Sequence, residues 1–158
     1  MLFYAVLVGI GATAFMDLTS IIRAQLGAPF PDYGLVGRWL AHVAQGRVAR
    51  GAIAQAAPVI GEALIGWSAH YVVGIGYAAL LLLAFPGWAD QPSFAPAMLV
   101  GVGTVLAPFL IMQPGMGAGF FASRTPDPNV ARLRSLITHA LFGLGLYCAG
   151  VARLLVFE

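Results

Sequence analysis

The chain has 158 residues, of which 60% are hydrophobic and only 9% are charged, and its mean hydropathy is +0.88. Soluble domains carry about 25% charged residues, so this composition excludes an ordinary soluble protein and indicates that lipid is the solvent for much of the surface. The net charge of +2 is too small for a nucleic-acid-binding face, and the single Cys148 excludes an internal disulfide and a cysteine-based metal cluster.

Four segments predict transmembrane helices, because each is close to or above the roughly 20 mostly apolar residues that cross a bilayer. In chain order they are 2–22, 59–85, 94–112 and 133–157. Proline and glycine lie between them, and proline interrupts helices because it lacks a backbone N–H and clashes with the preceding turn. We therefore predict an all-α integral membrane four-helix bundle that forms a single transmembrane domain over 1–158.

The arginines predict the orientation of these spans. The first and third connections contain or adjoin Arg38, Arg47, Arg50, Arg124, Arg132 and Arg134, whereas the second connection contains no basic residue. By the positive-inside rule, connections one and three are cytoplasmic and both termini are periplasmic. Basic residues that are all arginine, with much alanine and glycine, are typical of a GC-rich bacterial genome, so the predicted location is a bacterial inner membrane. Arg153 is the exception near the outer end, and we expect its side chain to extend to the interface.

The first connection predicts an additional helix. Asp32 is a candidate N-cap and Gly46 a candidate terminator. Between them, one face is apolar and carries Trp39, whereas Arg38 and His42 lie on the other face. This pattern predicts an amphipathic helix on the cytoplasmic leaflet, anchored by Trp39 and the arginines.

The two halves of the chain share short motifs in the same order. Leu7–Ala12 (LVGIGA) resembles Leu99–Thr104 (LVGVGT), and an HxxxGxG pattern begins at both His70 and His139. The pattern predicts two tandem two-helix repeats, about 1–85 and 94–158, although Gly-rich apolar helices also resemble one another by chance.

Each predicted span has one stripe of small and polar residues, which we expect to face the bundle interior because glycine allows close backbone approach. The predicted buried polar layer is Asp17, Glu62, His70, His139 and Gln113, and the predicted helix-packing glycines are Gly9, Gly66, Gly74, Gly101 and Gly143. Ionisable residues within a membrane are functional candidates by default. We expect Asp17 to pair with a histidine, since Arg23 on the same helix is awkwardly placed. Glu62 alternatively lies solvated in a first helical turn.

Three classes of function fit this layer. The first is handling of protons, an ion or a small solute, for which four spans require a homodimer. The second is a redox or metal site, in which His70 and His139 ligate one haem iron or bind a divalent metal together with Asp17. The third is a non-catalytic subunit of a larger membrane complex. No motif typical of an enzyme is present. The expected partners are membrane lipids and either a second copy of the chain or a larger membrane complex.

Short motifs along nearly the whole chain resemble a bacterial family of small four-span inner-membrane proteins that is known only as a domain of unknown function. These motifs are Met16-Asp17, Gly37-Arg38-Trp39, Gly61-Glu62, Gly66-Trp67, His70-Tyr71, Met112-Gln113-Pro114, Gly117-Ala118-Gly119, Ser123-Arg124-Thr125-Pro126 and His139 to Tyr147. The resemblance implies the four-span architecture and implies no activity.

Overall fold

Helices form the regular secondary structure in the part of the chain that this computed structural model describes, residues 1–47 and 51–157. In chain order they are α1 (Leu2–Gln25), α2 (Tyr33–Ala44), a 3-10 turn (Ile53–Gln55), α3 (Glu62–Ala84), α4 (Phe94–Gly103), a π-helical turn (Pro108–Met112), α5 (Gln113–Gly115), a second 3-10 turn (Phe120–Ala122) and α6 (Pro128–Phe157). Arg50, one of the arginines used for the predicted orientation, lies outside the described residues.

Four helical segments in the described residues are long and apolar enough to cross a membrane, which indicates a membrane protein. They are Leu2–Gln25, Glu62–Ala84, Phe94–Gly115 and Pro128–Val156. The prediction of an all-α chain with four apolar spans is therefore confirmed. The fourth helix begins five residues earlier than predicted, because proline is tolerated in the first helical turn. Asp127 assists this start, since its Oδ1 accepts a hydrogen bond of 3.2 Å from the amide of Val130.

The third span is not one regular helix. It consists of α4, the π-helical turn and α5, and it continues to Gly115 rather than ending at residue 112 as predicted. In the π-helical turn, the amide of Gln113 donates to the carbonyl of Pro108, five residues back. Pro114 does not end the segment because it lies in the first turn of α5, where its missing N–H is not needed. Pro108 and Pro114 thus lie on either side of a turn in which the helix is locally wider than an α-helix.

The predicted helix of the first connection is confirmed as α2. Oδ1 of Asp32 accepts a hydrogen bond of 3.2 Å from the amide of Leu35, which is the arrangement of an N-cap. The helix ends before Gly46, whose φ of 70° lies in the left-handed region that glycine adopts readily.

The chain divides into two compact units. Unit 1 comprises Met1–Phe30, Tyr71–Thr104 and Leu136–Glu158, and unit 2 comprises Pro31–His70 and Val105–Ser135. The apolar core of unit 1 is built from α1, α3, α4 and α6, and Trp88 adds a buried side chain from the connection between α3 and α4. Unit 2 buries Ile53, Phe109 and Ala122. Every contact described below joins residues of one and the same unit.

Candidate functional site

A buried carboxylate lies on α1 in unit 1. The exposed fraction of Asp17 is 7%, and Thr13 and Ser20, which lie on the same helix face, are also buried. The hydroxyl of Tyr71 on α3 donates a hydrogen bond of 3.0 Å to Oδ2 of Asp17. Tyr71 was not among the residues predicted for the polar layer. Its position directly after His70 was the only indication in the sequence that it could belong there. The hydrogen bond from the phenol fixes the position of this shielded carboxylate.

His139 forms a hydrogen bond with Thr104, also within unit 1. Its Nδ1 lies 3.1 Å from Oγ1 of Thr104, and the same hydroxyl donates to the carbonyl of Gly101 at 2.7 Å. Because the hydroxyl has one proton and gives it to Gly101, its oxygen accepts the Nδ1–H of the imidazole. A neutral His139 is therefore the Nδ1–H tautomer, and Nε2 is the nitrogen that accepts a proton or ligates a metal.

His70 belongs to a group of aromatic rings in unit 2. Its ring centroid lies 4.2 Å from that of Tyr33 and 5.8 Å from that of Trp67, and the Tyr33 and Trp67 centroids are 4.5 Å apart. The planes of Tyr33 and His70 are inclined by 30°, while Trp67 meets His70 edge-on at 74°. These arrangements are favourable for aromatic rings and fix the orientation of the imidazole relative to the first turn of α2.

Glu62 forms an ion pair with Arg38 in unit 2. Nε and Nη2 of Arg38 donate to the two carboxylate oxygens of Glu62 at 2.8 and 2.7 Å. Nη1 donates to the carbonyls of Ala54 and Ala56, and Glu62 also accepts from the amide of Val59. The hydrogen bond and charge of Glu62 raise the pKa of Arg38, although burial acts in the opposite direction. Arg38 thus ties α2 to the start of α3 within unit 2, while its role as a membrane anchor stays a prediction.

The rest of α2 is also held by protein groups. Nε2 of His42 lies 3.1 Å from the carbonyl of Ala57, so the polar face of the helix contacts the segment before α3. A Cβ at Gly115 would lie 2.5 Å from Nε1 of Trp39, which places the indole directly against the α5 backbone. His42 and Trp39 of α2 thus both contact other parts of unit 2.

Gln113 lies at the junction of the π-helical turn and α5. Its Nε2 donates to Oγ of Ser135 at 3.2 Å, and that hydroxyl donates to the carbonyl of Ala131. The amide orientation is assigned from this network, since Ser135 has one proton and uses it on Ala131. Oε1 of Gln113 is buried and has no hydrogen-bond partner among the described residues. Such an atom is suited to a water molecule or another small donor.

Glycines allow close helix crossings in both predicted repeats. A Cβ at Gly9 would lie 2.5 Å from Cα of Ile75 and 3.0 Å from the carbonyl of Gly74, so α1 and α3 touch backbone to backbone in unit 1. A Cβ at Gly101 would lie 2.6 Å from the amide nitrogen of Gly143, which gives the same contact between α4 and α6. Each crossing thus uses one glycine from each of the two repeated motifs.

The remaining predicted packing glycine, Gly66, forms a third crossing in unit 2. A Cβ there would lie 2.7 Å from the carbonyl carbon of Tyr33, and a Cβ at Gly37 would lie 2.7 Å from the amide of Gly66. This approach places the start of α3 against α2, beside the Arg38–Glu62 pair.

The residues of the predicted polar layer belong to both units. Asp17 and His139 lie in unit 1, whereas Glu62, His70 and Gln113 lie in unit 2. Among the described residues, no group of three or more His, Cys, Asp or Glu side chains is placed to hold a metal ion, so the set of His70, His139 and Asp17 is not assembled as a metal site. A single connected layer and haem ligation by the two histidines stay predictions.

Comparison with known proteins identifies the family of the chain. The family model described as "Protein of unknown function (DUF2938)" matches residues 6–153, which include all four apolar segments in whole or in large part. No curated protein and no solved structure matches the chain. The resemblance found in the sequence is thereby confirmed. The chain belongs to the DUF2938 family of proteins of unknown function.

Proposed function

We propose that the protein is a polytopic bacterial inner-membrane protein that moves protons, an ion or a small solute across the membrane through a layer that includes Asp17, His70 and His139. Protons are the cargo that the site favours. The observation that carries the proposal is the buried carboxylate of Asp17 within the first apolar span, with the hydroxyl of Tyr71 at 3.0 Å. Ionisable groups are rare in such segments because their charged forms lose hydration, and they mark proton and ion pathways.

The arrangement around His139 supports the same role. The chain of hydrogen bonds from His139 through Thr104 to the carbonyl of Gly101 fixes one tautomer, so proton exchange takes place at Nε2. The proposed orientation has both termini in the periplasm, and the proposed assembly is a homodimer, because four spans alone provide a narrow path.

The test is proton flux into proteoliposomes that contain the purified protein and a pH-sensitive dye. A potassium diffusion potential supplies the driving force. We expect D17N to reduce the flux at least tenfold, because the amide neither ionises nor exchanges a proton. The matched control is D90N, since Asp90 is an exposed aspartate in the connection between α3 and α4. Its flux is expected to equal that of the unchanged protein.

Two results contradict the proposal. The first is flux through the D17N variant equal to that through D90N, with both variants folded to the same extent. The second is flux through the unchanged protein that does not exceed the leak of protein-free liposomes; this result favours the role of a non-catalytic subunit. His70→Ala and His139→Ala extend the test, because both variants are expected to lose flux and remain folded. Loss of folding in both variants assigns the histidines to structure instead.

A further inference from the structure

Arg153 is a buried cation near the end of α6. Its exposed fraction is 9%, so other protein groups cover most of its side chain. Nη2 donates a hydrogen bond to the carbonyl of Ala89, and the guanidinium carbon lies 4.4 Å from the centroid of the Tyr4 ring. Nε is buried and has no acceptor among the described residues. All three residues belong to unit 1.

No carboxylate in the described part of the chain forms an ion pair with Arg153. The π-face of Tyr4 and one carbonyl stabilise the cation only partly, because neither carries a full negative charge. A buried charge without a counter-ion is strongly unfavourable, and in an apolar span this penalty is larger than at an exposed surface. The environment of Arg153 is therefore incomplete without an anion.

Arg38 shows how this chain neutralises a guanidinium. The edge formed by its Nε and Nη2 holds the two oxygens of Glu62, at 2.8 and 2.7 Å. In Arg153 the same edge has one neutral acceptor, the carbonyl of Ala89, and an unused Nε–H. A planar fork of this kind matches two oxygens of a carboxylate or a phosphate.

We propose that Arg153 binds the phosphate group of an anionic phospholipid, with two phosphate oxygens at Nε and Nη2. Nη2 exchanges the carbonyl of Ala89 for the phosphate, while the flat face of the guanidinium stays on Tyr4. A lipid is the source that the position favours: Arg153 and Tyr4 lie near the ends of apolar spans, and Ala89 lies in the connection between two spans. The ends of spanning helices meet the lipid headgroups.

The test is thermal unfolding of the protein in a neutral detergent with added phosphatidylglycerol, phosphatidylcholine or inorganic phosphate. At a ligand concentration about 100 times its Kd, specific binding raises Tm by roughly 5–10 °C for a chain of this size. We expect phosphatidylglycerol to give this increase and phosphatidylcholine to give much less, because the choline ammonium of phosphatidylcholine already neutralises its phosphate and leaves no net negative charge for Arg153. R153Q is expected to lose the increase. R124Q, which removes the charge of an exposed arginine, is expected to keep it.

The Tm measurements on the variants distinguish a lipid site at Arg153 from its alternatives. An equal increase in R153Q and R124Q overturns the proposal, because lipid then stabilises the protein elsewhere. An increase with inorganic phosphate that R153Q abolishes supports the phosphate site and assigns a soluble ligand to it. If R153Q does not fold, R153K provides the comparison: it keeps the charge without the planar fork, and we expect phosphatidylglycerol to bind about tenfold more weakly.

An internal counter-ion is tested by E158Q, which removes a carboxylate at a position outside the described residues. If E158Q lowers Tm as far as R153Q does, and lipid gives no increase in the unchanged protein, the counter-ion is Glu158 and the lipid site is refuted. If E158Q retains the lipid-dependent increase, the site on Arg153 is supported.

Discussion

The backbone contact between α1 and α3 predicts that Gly9→Ala destabilises the protein. The added Cβ would lie 2.5 Å from Cα of Ile75, whereas carbon atoms in favourable contact are about 3.5–4.0 Å apart. The helices must therefore separate by about 1 Å, and inserting a methyl group into a tight contact of this kind destabilises by about 1–3 kcal/mol. Alanine also favours the helix over glycine by about 1 kcal/mol, which offsets part of the loss.

Gly76→Ala is the matched control for this change. Gly76 follows Ile75 directly on α3, and a Cβ there meets no atom within 4 Å. Both variants gain the same helix preference, so the difference between them isolates the crossing. At about 2–4 °C per kcal/mol, we expect the Tm of Gly9→Ala to lie about 2–12 °C below that of Gly76→Ala in the same detergent, as followed by circular dichroism.

Equal Tm values for the two variants would refute the reasoning, because they would mean that α1 and α3 do not touch at Gly9 in the folded protein. The second crossing provides a repeat of the experiment. Gly101→Ala adds a Cβ against Gly143, while Gly103→Ala, two residues further along the same helix, adds one in open space. The sign of the difference should be the same in both pairs.

Two further predictions concern hydrogen bonds. Arg38→Lys keeps the charge but loses the two-point contact with Glu62, so we expect a lower Tm than that of the unchanged protein. Arg47→Lys, at an exposed position, is the control and is expected to leave Tm unchanged. Equal losses of Tm in both variants would contradict the role of the Arg38–Glu62 pair. Thr104→Val removes the oxygen that accepts the Nδ1–H of His139. We therefore expect NMR of the ¹⁵N-labelled imidazole to show a mixture of tautomers in place of the Nδ1–H form. An unchanged spectrum would contradict the assignment of this tautomer.

The sequence was sufficient to predict features that depend on neighbouring residues. The apolar lengths of the four spans, the N-cap at Asp32 and the helix end at Gly46 are all local patterns, and the structure contains each of them. The start of α6 at Pro128 was missed because proline is compatible with both a loop and a first helical turn.

Contacts between distant residues could not be predicted in the same way. Arg38 and Glu62 are 24 positions apart, and their pairing depends on the close approach at Gly37 and Gly66 rather than on any periodicity. The positive φ of Phe121 and Ala122 likewise has no signal in the sequence, because neither residue type favours that conformation. The tertiary structure around these residues holds them in place.

The crossing of α1 and α3 at Gly9 constrains how these two helices can move. No side chain lies between the backbones at that point, so separating the helices loses the contact entirely, whereas rotating one about the other preserves it. We therefore expect the crossing to act as a pivot. A small change in the crossing angle leaves the residues at the pivot in place and displaces residues further along the helix in proportion to their distance from it. Asp17 is two turns from Gly9, so such a change would move its carboxylate.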